Sequence, residues 1–225
     1  MGILENYNDI KSRVDAACEK SGRCADDVLI LGVSKTISAD VLNEAVSLGI
    51  TTLGENRVQE LCDKFDSVEG ATWHLIGHLQ TNKVKYIIDK VSLIHSVESI
   101  KLIEEISRQA KKHGKVQDVL IEVNVSGEES KFGVPYAEIY DFLDAADKFD
   151  GIKIKGFMTM APLMAEKDEI RQIFKKLYNL YIDIGQKKYD NISMKYLSMG
   201  MSNDFEIAVE EGANIIRVGR SLFKR

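Results

Sequence analysis

The chain has 225 residues, with 30 lysines and arginines against 35 aspartates and glutamates, a formal net charge of −5. That balance excludes a broad polyanion-binding surface, because phosphate backbones are held by clustered positive charge, and nucleic acid is not an expected partner. No apolar run reaches membrane-spanning length, and the length suits one large core of the size single α/β barrels reach.

The opening stretch MGILENYNDIKSRVDAACEK carries charges at a helical period. It predicts an amphipathic helix and not the apolar core of a signal peptide, so a cytoplasmic location is expected. Short apolar strands then alternate with amphipathic helices. The strand candidates are VLILGVSK from Val28, TTLGEN from Thr51, TWHLIGHL from Thr72, SLIHSV from Ser92, VLIEVNV from Val119, KIKGFMTM from Lys153, MKYLSMGM from Met194 and NIIRVG from Asn214. Helical patterns cover Ala39 to Leu48, Ser99 to His113, Pro135 to Lys148, Lys167 to Lys187 and Phe205 to Glu211, with Gly49, Gly114 and Gly212 where C-caps are expected. This beat implies βαβ units and a parallel sheet, and eight of them favour a closed (β/α)8 barrel with an additional N-terminal helix, residues 1–225 forming one domain. The basic runs Lys111-Lys112-His113 and Lys175-Lys176 have acidic neighbours and read as solvated faces. Cys18, Cys24 and Cys62 form no CxxC pair, so neither a disulfide framework nor a metal site is indicated.

A parallel barrel carries its chemistry at the C-terminal ends of its strands, and the uncommon residues collect there. Lys35 closes the first strand, Glu55 and Asn56 the second, His78 the third, Ser96 the fourth, Asn124 the fifth and Met158 to Met160 the sixth. The seventh runs into SMGMSND and the eighth is IIRVGRS. Barrels often hold phosphate in the loops after strands seven and eight, and here Gly200 and Ser202 fall in one such loop while Gly219, Arg220 and Ser221 fall in the other. Arg217 shares parity with Ile215 and Gly219, which places a guanidinium on an inward face, either bridged to Glu55 or Glu122 or donating to a ligand. Lys35 shares parity with Leu29, Leu31 and Val33, which puts its amine in the barrel mouth near Arg217. It is either an ion-pair partner of Glu55 or a desolvated amine whose lowered pKa makes it nucleophilic toward aldehydes. Lysine, phosphate cradle and ring-nitrogen donor together describe a site for pyridoxal 5'-phosphate.

At these residues the chain resembles the pyridoxal phosphate homeostasis proteins, barrel proteins similar to the barrel domain of alanine racemase. The matching stretches are GVSKT, GENRVQE, WHLIGHLQTNKVK, HSVES, VNVSGEESKFG, GFMTMAP and LSMGMSNDFEIAVEEGANIIRVGRSLF, nearly the whole chain. The resemblance implies that Lys35 forms the Schiff base with pyridoxal 5'-phosphate and that Arg217 faces the pyridine nitrogen. It implies Ser202, Gly219 and Arg220 at the phosphate, and Asn56, Met158 and Ser198 lining the cofactor. GRSLFKR departs slightly from the family's ending, which leaves the role of Ser221 open.

An arginine at the ring nitrogen cannot accept a proton, so the ring remains a weaker electron sink. Racemisation also needs a second acid–base group, which the resembled racemase takes from a further domain of a partner subunit; this chain is expected to have none after its last strand. His78, Tyr196 and Tyr86 are the candidates for such a group, each with a structural alternative. The expectation is therefore a carrier or buffer of the cofactor, with little or no turnover, acting as a monomer or weak dimer and serving pyridoxal-phosphate-dependent apoenzymes. The rivals are a weak racemase or decarboxylase in the same site, a Schiff-base aldolase on phosphosugars, and an adaptor with no ligand. SGEESKFG, Ser126 to Gly133, is either a mobile loop over the mouth or an ordinary solvated loop.

Overall fold

Strand and helix alternate through the computed structural model, which describes residues 2–128, 132–162 and 164–224. The strands are β1 (Leu29–Val33), β2 (Thr52–Glu55), β3 (Thr72–Leu75), β4 (Val91–Val97), β5 (Gln117–Asn124), β6 (Ile152–Met158), β7 (Ile192–Met201) and β8 (Ile215–Val218). Neighbours pair in parallel, with β1 joined to both β2 and β8 and β4 joined to β5, so the sheet closes on itself as a TIM-type barrel. A two-residue strand, Val134–Pro135, runs beside β5.

The helices are α1 (Ile3–Ser21), α2 (Ala39–Ser47), α3 (Val58–Phe65), α4 (Ile100–Lys112), α5 (Ile139–Ala146), α6 (Lys167–Gly185), α7 (Phe205–Glu210) and α8 (Arg220–Phe223). Helix α3 was not among the expected patterns, although Val58, Leu61, Cys62 and Phe65 follow a helical period; its eight residues make only about two turns. Between β3 and β4 the crossover shortens to a 3-10 segment, Thr81–Tyr86. Gly49, Gly114 and Gly212 stand just past α2, α4 and α7 with φ of 94°, 65° and 104°, the left-handed C-cap geometry expected of them.

Strand parity separates two apolar layers. Leu31, Val33, Leu93, Leu120, Met158 and Ile215 fill the cylinder, while a larger set that includes Trp73, Phe157, Phe174 and Phe205 packs between strands and helices. Burying each large apolar side chain contributes about 1.5–3 kcal/mol before entropy is counted. The N-terminal helix buries Ile3, Ile10, Val14 and Ala17 along one stripe. Asn6 on that stripe donates its side-chain amide to Leu222 O at 3.0 Å and Lys224 O at 2.7 Å, and Arg13 meets Glu206 at 3.1 Å. Helix α1 thus braces α7 and α8, the two elements that follow the phosphate-type loops.

Candidate functional site

At the C-terminal ends of the strands lies a cavity of about 530 Å³ bordered by Lys35, Ser202, Arg217, Gly219 and Arg220, with Lys167 and Asp204 on its wall. A parallel barrel gathers these groups because every strand points the same way, although they are spread over more than 180 positions of sequence.

Lys35 differs from expectation. Strand β1 ends at Val33, and Lys35 sits exposed in the turn that follows, beside Thr36 with φ of 63°. Its ammonium has no ion pair or hydrogen bond among the described residues. It is therefore not the desolvated last residue of a strand face. Nor is Glu55 its partner. That fully buried carboxylate accepts Lys64 Nζ at 2.7 Å, Ser34 Oγ at 3.1 Å and the Asn56 N–H at 2.8 Å. The turn begins at Ser34, whose N–H goes to Gly54 O, and the chain leaves the strand direction there.

Arg217 is buried inside the barrel, as its parity required. Neither proposed carboxylate bridges it. Its guanidinium donates to Ser198 Oγ at 2.6 Å and to Thr159 O at 3.0 Å. Ser198 Oγ also meets His95 Nδ1 at 3.0 Å, and His95 Nε2 meets His74 Nδ1 at 3.0 Å. Because a guanidinium can only donate, the order of the protons follows: Ser198 passes its O–H to His95 Nδ1, and His95 donates from Nε2 to His74. Both imidazoles must be neutral for this chain to hold. Burial pushes His74 down to about 4, and burial with the nearby His74 and Arg217 pushes His95 well below the usual histidine range. Burial also lowers Arg217 to about 10, opposed by Glu122 and Asp204, and the group keeps its charge at neutral pH. The sequence reading passed over His74, His95 and Thr159. The histidines lie at inward parity in TWHL and SLIHSV, a signal that alternation alone could have flagged.

On the opposite wall Ser221 Oγ meets Ser202 Oγ at 3.1 Å, so the loops after β7 and β8 converge. The first N–H groups of a helix have no intrahelical acceptor, and those of α8 rise directly from Gly219. Gly200 is not part of this cradle. It lies within β7 at φ 91°, where a Cβ would stand 2.6 Å from Ala208 Cβ and 2.9 Å from Phe205 Cα, so it serves close packing of α7. Met158 is buried in the inner layer instead of lining the cavity. Ser198 sits behind Arg217. Asn56 follows β2, and its Oδ1 is buried without any partner. Of the acid–base candidates, His78 pairs with Glu98 at 3.0 Å and stacks on Phe132, Tyr86 is exposed, and Tyr196 borders the other end of the barrel. Within Ser126 to Gly133, residues 129–131 lie outside the described residues.

A larger cavity of about 660 Å³ opens at the N-terminal strand ends, between α1, α6 and the barrel base. Its guanidinium, Arg23, is already committed to Val209 O and Ala213 O, while Lys11 and Lys195 also border it.

Residues 8–225 match the family described as alanine racemase, N-terminal domain. A pyridoxal phosphate homeostasis protein of Aquifex aeolicus is 42% identical over 225 residues, covering 99% of this chain and 98% of that one. The structure of PipY from Synechococcus elongatus with PLP bound has a TM-score of 0.85 and 30% identity, covering 98% of this chain and 99% of that chain. An alanine racemase of Clostridium difficile, 16% identical with a TM-score of 0.72, covers 98% of this chain and 56% of that chain and shows likeness of fold.

Proposed function

Because this chain belongs to the alanine racemase N-terminal domain family and, within it, to the pyridoxal phosphate homeostasis proteins, we propose that it holds pyridoxal 5'-phosphate reversibly in the cavity beside Lys35. In this reading it stores or hands on the cofactor, with pyridoxal-phosphate-dependent apoenzymes as recipients. When bound, the cofactor supplies an aldehyde that condenses with a primary amine and expels one water. The residues present suit such a guest. Lys35 offers an amine with no competing partner, and Ser202 and Ser221 with the start of α8 offer donors to a phosphate. Arg217, kept charged and backed by a neutral serine–histidine chain, presents a donor and no proton acceptor.

The observation that carries this reading is the convergence of an unpaired lysine and two serine-bearing turns on one cavity. Purified protein mixed with the cofactor should develop a visible absorbance band, lose it on borohydride reduction, and yield a pyridoxyl adduct at Lys35 by peptide mass spectrometry. Lys35→Ala should yield neither band nor adduct. Steady turnover of an amino acid by homogeneous protein, abolished in Lys35→Ala, would favour the racemase or decarboxylase instead.

A further inference from the structure

No residue of the GENRVQE stretch lines the cavity among the described residues, yet the helix that continues it reaches the turn carrying Lys35. Lys64, near the end of α3, donates to Ser34 O at 2.9 Å and to Glu55 Oε1 at 2.7 Å, and it lies 3.5 Å from Glu60 Oε2. That same Glu60 oxygen accepts the Thr36 N–H at 3.2 Å. Both chain neighbours of Lys35 are therefore tied to one charged cluster, Ser34 through Lys64 and Thr36 through Glu60. Thr36 has φ of 63°, a left-handed conformation that a β-branched residue adopts only when its surroundings impose it. Glu60 is held below the usual carboxylate range, first by the Thr36 N–H and then by Lys64, so it stays ionised to act as acceptor.

We propose that Lys64, with Glu60, is a positioning residue that clamps this turn and so fixes where the Lys35 amine stands at the cavity. The inference rests on the reading of Lys35 as the point of cofactor attachment. A rival role for Lys64 is simple neutralisation of Glu55, which is fully buried. The two roles separate in the double variant Glu55→Gln/Lys64→Met, where no buried charge remains but Ser34 O has lost its anchor.

The test uses the full-length protein and pyridoxal 5'-phosphate. It follows the rate at which the visible band grows, the fraction of Lys35 trapped by borohydride, and amide exchange at Thr36 in protein without cofactor. The clamp predicts that the double variant folds, attaches cofactor about tenfold more slowly, as expected for loss of the charge-assisted hydrogen bond to Ser34 O, and exchanges the Thr36 amide faster because the released turn opens more often. Glu60→Ala leaves the Glu55–Lys64 pair in place and should slow cofactor attachment in the same way; it carries the test if the double variant does not fold. Wild-type rates and exchange in these variants would reduce Lys64 to a counter-ion and overturn the clamp alone. Wild-type protein that takes up no cofactor at Lys35 would overturn both the functional reading and the purpose assigned here to the clamp.

Discussion

Replacing Glu122 by glutamine should stabilise the protein in alkaline but not in acidic solution. Glu122 lies on β5 at the same parity as Leu120, inside the barrel and buried. Burial first, then the neighbouring Glu98, raises its carboxyl from 4.5 to about 7, while Arg217 opposes the rise. A carboxyl raised on folding contributes stability that is fully present below the unfolded pKa and is lost as pH climbs through the folded value. The gap between 4.5 and about 7 corresponds to roughly 3 kcal/mol, retained in full in acid and lost above neutrality. Glutamine imitates the protonated form at every pH. The variant should therefore match wild type near pH 4 and melt about 6 to 12 °C higher at pH 8. His74 acts in the opposite sense: lowered to about 4, it takes stability away as pH falls below the unfolded histidine value near 6.5. In wild type the two slopes oppose each other between about pH 4.5 and 6.5, and Glu122→Gln should leave the histidine slope exposed. Thermal melts of cofactor-free protein by circular dichroism from pH 4 to 8 measure this. Equal melting of variant and wild type at pH 8, or an equal gain at both ends of the range, would refute the reasoning.

Four further variants test the packing. Ser198→Ala leaves Arg217 and His95 each short of a buried partner and should cost about 2–5 kcal/mol in urea unfolding, with a loss below 1 kcal/mol counting against the proton order assigned to the chain. Gly200→Ala, forced to φ 91° with its Cβ 2.6 Å from Ala208, should lose about 2–4 kcal/mol. Gly219→Ala, whose nearest contact is Val33 Cβ at 3.2 Å, should lose less than about 1 kcal/mol, and equal losses at the two glycines would contradict their different assignments. Asn6→Ala removes both side-chain bonds from α1 to the α8 end, so unfolding should become easier by about 1–3 kcal/mol and cofactor retention in dialysis should shorten.

Much of the barrel is legible in the sequence, because periodicity records which face of each element is buried. The alternation of apolar runs and amphipathic helices, the glycines past α2, α4 and α7, and the inward parity of Arg217 all express local burial, and local burial is written residue by residue. The resemblance carried by motifs such as GVSKT and SMGMSND added the cofactor. Contacts between strands distant in sequence were not written that way. His95 meets Ser198 across 103 positions and Arg217 meets Thr159 across 58, pairings that exist only once the sheet has closed. Parity also misplaced Lys35, since it assumes the strand continues, whereas Lys64 and Glu60 on α3 bend the chain at Ser34 and hold the amine in solvent beside the cavity. Gly200 likewise looked like a loop residue for phosphate until Ala208 and Phe205 were seen against it. Which residues face inward followed from the order of amino acids; which of them touch, and which way the protons run between them, was decided by closure of the barrel, because hydrogen-bond partners are set by distances that no one-dimensional pattern contains.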